Sequence, residues 1–331
     1  MSPKLLVVLG ATGTQGGSII NTFQNDPEWT IRGITRNVNS SKAEILKSKG
    51  VKVISANLDD PSSLMTAFKG AYAIFSVTDF WAAYKDPANQ TKRAPGQAMN
   101  VWSYEHELEQ GKNVFDAAAK TDGLQRMIFS SLSYAKKWSG GKYSHVYHLD
   151  SKAEAVEYGR LKYPELWKKT SIIQIGYYLS NIWTFSFLKP TKDENGVYVF
   201  ASKMRPDVKL PLIAAEEDTG PLTKALLATE PGKNLIAYRE WMTLDEFYHV
   251  WSETLGVRAK TVALPADDPW EAVPEELREE LSDTMLYAVE FGYEARDDSS
   301  VIHPKDLDVQ VQLGTVQEWI KKQDWGPVLR D

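Results

Sequence analysis

The stretch LLVVLGATGTQGG, residues 5–17, constrains this chain more than any other. An unbroken aliphatic run leads straight into Gly10, and Gly13 and Gly16 follow at equal intervals. A run apolar on both alternating faces reads as a central strand covered by helices on both sides. The glycines then permit a tight turn, a close backbone approach and the opening of a helix. A helix N-terminus offers unpaired N–H groups and the positive end of the peptide dipoles, so such a turn is suited to phosphate. The spacing, Gly-x-x-Gly-x-x-Gly, differs from G-x-G-x-x-G by one residue in its first interval. With a strand before it and a helix after it, the expectation is dinucleotide binding.

The rest of the first half repeats this rhythm. Aliphatic runs at 5–9, 29–35, 51–55, 72–77, 126–131 and 171–175 alternate with helical periodicity at 16–26, 40–50, 61–70 and 104–123. Alternating strands and helices predict α/β architecture, a doubly wound parallel sheet. At 331 residues the chain exceeds a typical single domain. The expected division is a dinucleotide-binding domain over 1–175 and a smaller C-terminal α/β, mainly substrate-binding lobe over 176–331, partly interwoven with the first. Residues 79–103 carry Pro87, Pro95 and Gly96 and read as a long loop, either a lid over the carboxyl end of the fourth strand or simply a floppy connection. The acidic stretch 265–283 reads as a solvated helix without chemistry.

Composition removes several function classes. There is no cysteine, which excludes disulfides, thiolate nucleophiles and cysteine-held metals, and no metal site is expected. Lys and Arg total 38 against 44 acids, a net charge of −6, which gives no support to nucleic acid or anionic lipid as a direct ligand. The apolar run before Gly10 is too short for a signal core or a membrane span. A soluble cytoplasmic protein is expected, with the nucleus as an alternative. The 11 tryptophans point either to aromatic-lined cavities or to ordinary packing.

The second run ends ITRN, with Arg36 about twenty residues past Gly16 and no acid at the strand end. A guanidinium there suits a 2′-phosphate and selects NADP(H) over NAD(H); Lys42 could add a second charge.

The motifs GATGTQGG (10–17), ITRN (34–37), ANLDDPSSL (56–64), FSVTDFW (75–81), HLDSK (148–152) and IGYYLSN (175–181) together resemble the NmrA-like family of atypical short-chain dehydrogenases, with isoflavone-reductase-like enzymes as more distant relatives. The resemblance implies a Rossmann-type fold. It places Gly10, Thr12, Gly13, Thr14, Gln15 and Gly16 on the pyrophosphate, Arg36 on the 2′-phosphate and Asn57 and Leu58 beside adenine. It also implies Thr78, Asp79, Phe80, Gly176, Tyr177 and Tyr178 along the nicotinamide and Lys152 on its ribose.

Carbonyl-reducing short-chain enzymes use Tyr-x-x-x-Lys, in which the phenol gives a proton to the developing alkoxide. Here His148 occupies the tyrosine's place, one helical turn before Lys152. Imidazole titrates near neutrality and can replace phenol. A nearby ammonium and a helix N-terminus would disfavour its charged form. The letters SKAE (151–154) also read as a capping box, which would start the helix at Ser151 and leave His148 outside it. Ser131, near Ser130 and Ser133, is the expected hydroxyl that steadies a substrate oxygen; Tyr143, Tyr147 and Tyr177 are substitute phenols.

Two function classes follow. One is NADPH-dependent reduction of a small, largely apolar carbonyl, imine or activated alkene, in secondary metabolism. The other is an NADP(H)-binding redox sensor without turnover, acting through a protein partner.

Overall fold

The computed structural model describes residues 2–265 and 267–329. Residues 1, 266, 330 and 331, at the outer ends of the two expected domains and inside the 265–283 stretch, lie outside them. The strands are β1 (Lys4–Val8), β2 (Trp29–Thr35), β3 (Lys52–Ser55), β4 (Ala73–Ser76), β5 (Arg126–Ser131), β6 (Thr170–Ile175), β7 (Tyr177–Tyr178), β8 (Thr191–Lys192), β9 (Tyr198–Ser202), β10 (Lys209–Ile213), β11 (Asn234–Ala237), β12 (Glu240–Thr243), β13 (Ala259–Ala263) and β14 (Val301–Ile302). Eight of them form one sheet, in the order β3-β2-β1-β4-β5-β6-β11-β14. Every neighbouring pair in it is parallel. Helices cover both faces, which is the doubly wound Rossmann-type architecture.

Alternation along β1 shows how the layers are held. Leu6 and Val8 pack with Ile19 and Phe23 of the helix Thr14–Phe23 and with Leu222 and Leu226 of the helix Ala215–Ala228. Val7 and the following Leu9 face the opposite layer, where Leu64 and Phe68 of Pro61–Phe68 and Phe115 of Met99–Ala119 meet them. The strand order reverses at β1, which pairs with β2 on one side and β4 on the other. A reversal of this kind opens a crevice at the carboxyl ends of the strands.

Beyond residue 176 the chain builds two small sheets, β12-β10-β7 and β13-β9-β8, and also returns β11 and β14 to the main one. Trp251, Trp270, Trp319 and Trp325 sit in the core beneath the small sheets, and Trp183 stacks on Trp319 with ring centroids 5.1 Å apart. Much of the tryptophan content therefore goes into packing. Among the described residues no helix is long and apolar enough to cross a membrane.

The segment 79–103 is shorter as a loop than its prolines and glycine suggest. The Asp79 carboxylate accepts from Ala82 N–H at 2.9 Å and caps a helix, Phe80–Lys85, and the helix Met99–Ala119 begins before the segment ends. Only residues 86–98 connect them.

The helices Met99–Ala119 and Tyr147–Lys162 pack through small residues. A Cβ on Gly159 would lie 2.3 Å from the Phe115 ring, and one on Gly111 would lie 2.5 Å from Ala155 Cβ. This close approach brings the side chains of the two helices into hydrogen-bonding range, as in Tyr104 Oη–H donating to Glu154 at 2.7 Å. Gly159→Ala should destabilise the protein by about 1–3 kcal/mol through overpacking against a rigid ring, measured by urea unfolding.

Asp150, in the first turn of Tyr147–Lys162, is 2% exposed and accepts from Lys136 N–H at 3.2 Å. Burial pushes its carboxyl up to about 7, with the Glu154 carboxylate adding to the effect and the Lys136 N–H opposing it. Between its ordinary value of 3.8 and about 7 the unfolded chain ionises this group while the folded chain keeps it protonated. The unfolded state then binds fewer protons, so this group lowers stability as pH rises across that window. Asp150→Asn should remove that loss, gaining on the order of 2 kcal/mol relative to wild type from the acid end of the window to the neutral end, read from urea midpoints.

Candidate functional site

At the end of β1 the chain turns with Gly10 at φ +62°. Gly13 N–H donates to Gly10 O at 2.8 Å and closes the turn. A Cβ on Gly16 would sit 2.3 Å from that same carbonyl oxygen, and one on Gly10 would sit 2.7 Å from Val77 Cγ1 at the end of β4. The turn is thus wedged into the switch point. Gly13 is the N-cap of the helix Thr14–Phe23 and offers no side chain to cap it, nor is there an acid in the first turn. Gly13 and Thr14 are exposed and Thr12 is half-buried, so the donor end of this helix faces outward at the crevice.

Gln15 Nε2 donates to Tyr178 Oη at 2.8 Å, tying the turn to β7. Gln15 Oε1 and Thr78 Oγ1 are buried without a hydrogen-bond partner. Buried polar atoms are ordinarily satisfied, and two unsatisfied ones beside an open helix terminus fit a site that takes a polar ligand. These residues suit a dinucleotide: the turn and helix start for the pyrophosphate, Thr78 and Gln15 further along the cleft.

Arg36 lies one residue past β2, exposed, and among the described residues nothing hydrogen-bonds or ion-pairs with its guanidinium. Lys42 is exposed on the next helix, Ser41–Ser48. Asn57 N–H donates to Ser63 Oγ at 3.0 Å, and Leu58 O accepts from Asn113 Nδ2 at 2.9 Å, which fixes the backbone after β3. Burial holds the His106 imidazole below its ordinary pKa, opposed by the Asp59 carboxylate, with Lys92 and Arg36 as further lowering charges. Lys92, from residues 86–98, and Arg36 thus both act on the same imidazole.

The helix Tyr147–Lys162 starts before His148, so the capping-box reading of Ser151 does not hold. Ser151 is instead fully buried, and its hydroxyl donates to Glu107 Oε2. Tertiary contact with the helix Met99–Ala119 has overridden a local capping preference. His148 and Lys152 share a face one turn apart, as the Tyr-x-x-x-Lys spacing requires. Lys152 Nζ is ion-paired with Glu107 Oε1, and Glu107 is only 1% exposed.

His148 has its own carboxylate. Its Nδ1 lies 2.7 Å from Glu280 Oε1, and its backbone N–H donates to the same oxygen at 3.1 Å. Glu280 is completely buried and its other oxygen accepts from Asn100 Nδ2 at 3.2 Å. The imidazole lies against Trp81 and Phe80, with ring centroids 5.1 and 5.8 Å away. Two expectations are corrected. The stretch 265–283 is not merely solvated, because it carries Glu280 into the site. The charge nearest the imidazole is this carboxylate and not a free ammonium, since Lys152 is paired with Glu107. Glu280 sits on an apolar helix stripe between Leu277 and Leu281, whereas Glu107 lies on a buried face of small and polar residues between Ser103 and Gly111. An acid at a core position was the signal available in the sequence.

The other expected donors are less free. Ser131 Oγ is buried and donates to Leu132 O at 3.3 Å, and Ser133 Oγ donates to Tyr293 O at 2.7 Å. Tyr143 Oη donates to Glu290 at 2.9 Å. Burial raises the Tyr147 phenol above its ordinary value, with Glu279 and Glu280 adding to the effect. Burial pushes Tyr177 up to about 12, and it raises Tyr178 as well. Gly176 is a packing glycine: a Cβ there would lie 2.2 Å from Pro211 O.

Comparison with known proteins places this fold in a family. A profile described as the NmrA-like family matches residues 2–320. An NmrA-like family domain-containing oxidoreductase, cpsB, of Aspergillus campestris is 25% identical over 241 residues, covering 68% of this chain but only 64% of that protein. Another, himF of Aspergillus japonicus, is 24% identical over 301 residues, covering 86% of this chain and 83% of that protein. The solved structure of NmrA, a negative transcriptional regulator in complex with NADP, is similar with a TM-score of 0.73 at 20% identity, over 97% of this chain and 95% of that one. At this identity the structural likeness is one of fold. The profile match runs through both the glycine turn and the His-Lys helix to residue 320, and the chain belongs to the NmrA-like family.

Proposed function

We propose that this protein is an NADP(H)-dependent oxidoreductase that reduces a small, largely apolar substrate at a carbonyl, imine or activated alkene. One observation carries the reading: the uncapped terminus at Gly13 follows β1 and the helix bearing His148 and Lys152 follows β5, two parallel strands of one sheet with only β4 between them. The cpsB and himF relatives are named oxidoreductases, and the NmrA structure holds NADP.

In this reading Gly10, Thr12, Gly13, Thr14, Gln15 and Gly16 hold the pyrophosphate. Arg36 pairs with the 2′-phosphate, Asn57 and Leu58 border the adenine, and Thr78, Asp79, Phe80, Gly176, Tyr177 and Tyr178 border the nicotinamide. When bound, the reduced nicotinamide supplies hydride to the electrophilic carbon, and the π pair of the double bond moves to its heteroatom or conjugated end. His148 Nε2–H delivers the proton that completes the reduction, and the ring regains one from solvent. Lys152 exchanges part of its contact with Glu107 for the nicotinamide ribose, and Ser131 steadies the substrate heteroatom. Phe80, Trp81 and the half-buried aromatic residues near Phe185 form an apolar wall that suits a flat substrate. The lobe from residue 176 closes the substrate side. Such a substrate fits secondary metabolism, and a cytoplasmic or nuclear location fits the pyridine nucleotide pool.

The sensor reading has one supporting observation, the similarity to NmrA, which is described as a negative transcriptional regulator. A regulator of this kind would bind NADP(H) without turnover and act on a protein partner.

NADPH oxidation followed at its absorbance band against ketones, imines and enones separates the two. Turnover on one class is expected, falling about a hundredfold or more in Lys152→Ala, with NADPH binding weakened as well because the ribose contact is lost. Tight NADPH binding with no turnover on any class would favour the sensor. Arg36→Ala should weaken NADPH binding about tenfold or more and leave NADH binding unchanged, measured by fluorescence titration.

A further inference from the structure

We propose that Glu280 is a positioning residue for His148: it fixes the imidazole as the Nδ1–H tautomer and so makes Nε2 the atom presented to the substrate. The inference rests on the reductase reading above and adds to it a residue from the far end of the chain.

Geometry and hydrogen-bond chemistry carry it. An ionised carboxylate can only accept. With Glu280 taken as the ionised carboxylate and its Oε1 at 2.7 Å, the hydrogen of this contact is assigned to Nδ1. The same oxygen holds the backbone N–H of His148 at 3.1 Å, so ring and main chain are tied to one point. Asn100 Nδ2 donates to the other oxygen at 3.2 Å and to Glu276 O at 3.0 Å, which stops the carboxylate from rotating away. Glu280 has no contact with solvent. Burying a carboxylate is costly unless it is well hydrogen-bonded, and a helix that needed only packing at this position would carry an aliphatic residue, as it does at Leu277 and Leu281.

The consequence is chemical. Among the described residues no hydrogen bond engages Nε2, and the ring stands against Phe80 and Trp81. A neutral ring in this tautomer offers a lone pair at Nε2. A proton taken up there makes the imidazolium, whose Nε2–H passes to the substrate heteroatom and returns the ring to the starting tautomer. Nδ1–H stays on Glu280 throughout. The arrangement places the orienting group of the donor in the C-terminal lobe and its anchor, Asn100, at the start of the helix that follows residues 86–98. The donor is complete only when both are packed against the first half of the sheet.

The test combines nitrogen NMR with a double-mutant cycle on the full-length protein. Long-range ¹⁵N–¹H correlation should show His148 protonated at Nδ1 in the wild type and a changed tautomer distribution in Glu280→Gln, with thermal melting confirming that the variant is folded. With the best substrate of the panel, Glu280→Gln should lower kcat about tenfold to a hundredfold with the KM for NADPH unchanged, and His148→Gln combined with it should be no slower than His148→Gln alone. An unchanged tautomer in Glu280→Gln, or effects of the two substitutions that add, would overturn the proposal and leave Glu280 as a cap on the His148 backbone. A wild type that turns over nothing on the panel would sink the reductase reading separately, and the NMR result would then decide on the tautomer alone: a shift in Glu280→Gln supports it and no shift overturns it. If Glu280→Gln does not fold, Glu280→Leu, which removes the acceptor from a position flanked by Leu277 and Leu281, is used for the same spectra and rates, with the same outcomes required.

Discussion

A Cβ on Gly16 would reach to 2.3 Å from the Gly10 carbonyl oxygen. That contact lets the helix Thr14–Phe23 begin hard against the end of β1, and the rest of the site is arranged around it. Because the helix starts there, its donor end opens at the point where the strand order reverses. Because the turn is wedged against Val77, it is also in register with the end of β4, where Thr78 carries an unsatisfied hydroxyl. A side chain at Gly16 would push the start of the helix away from the Gly10 turn.

The second organising feature is a pair of buried carboxylates facing one helix. Glu107 takes Ser151 and Lys152, and Glu280 takes His148. Buried charges left unpaired cost several kcal/mol, so each acid in effect requires its partner. The result is a helix face on which a cation and an imidazole are separately held, without the phenol that carbonyl-reducing relatives use. Lys152 in this state is engaged with protein, so under the proposed function the nicotinamide ribose would compete with Glu107 for it. The close packing of Met99–Ala119 against Tyr147–Lys162, permitted by Gly111 and Gly159, holds Glu107 against Lys152.

The sheet was legible from residues because its inner strands are short runs rich in aliphatic residues, LLVV in β1, AIF in β4 and II at the centre of β6, although β6 also buries Thr170, Ser171 and Gln174. The glycine turn and Arg36 were legible because their roles depend on sequence neighbours: a strand before, a helix after, no acid at the strand end. Glu280 was not. It lies 132 residues from His148, and nothing local distinguishes it from the solvated acids around it except its place on the Leu277–Leu281 stripe. Ser151 failed for the converse reason. Its local letters matched a capping box, but a hydroxyl that finds a buried carboxylate on another helix gains more there than at a helix start. The residues before Met99 read as loop because proline and glycine dominate the pattern, while Asp79 supplies a cap that only the structure reveals as used.

The central claim is that the uncapped helix and Arg36 form a site for a dinucleotide bearing a 2′-phosphate. Titration calorimetry of the purified, nucleotide-free protein with NADPH and, separately, with NADH tests it most directly. Saturable heat with NADPH at one site per chain and weaker binding of NADH are expected. No heat with either nucleotide, together with a melting temperature that neither of them moves, would contradict it.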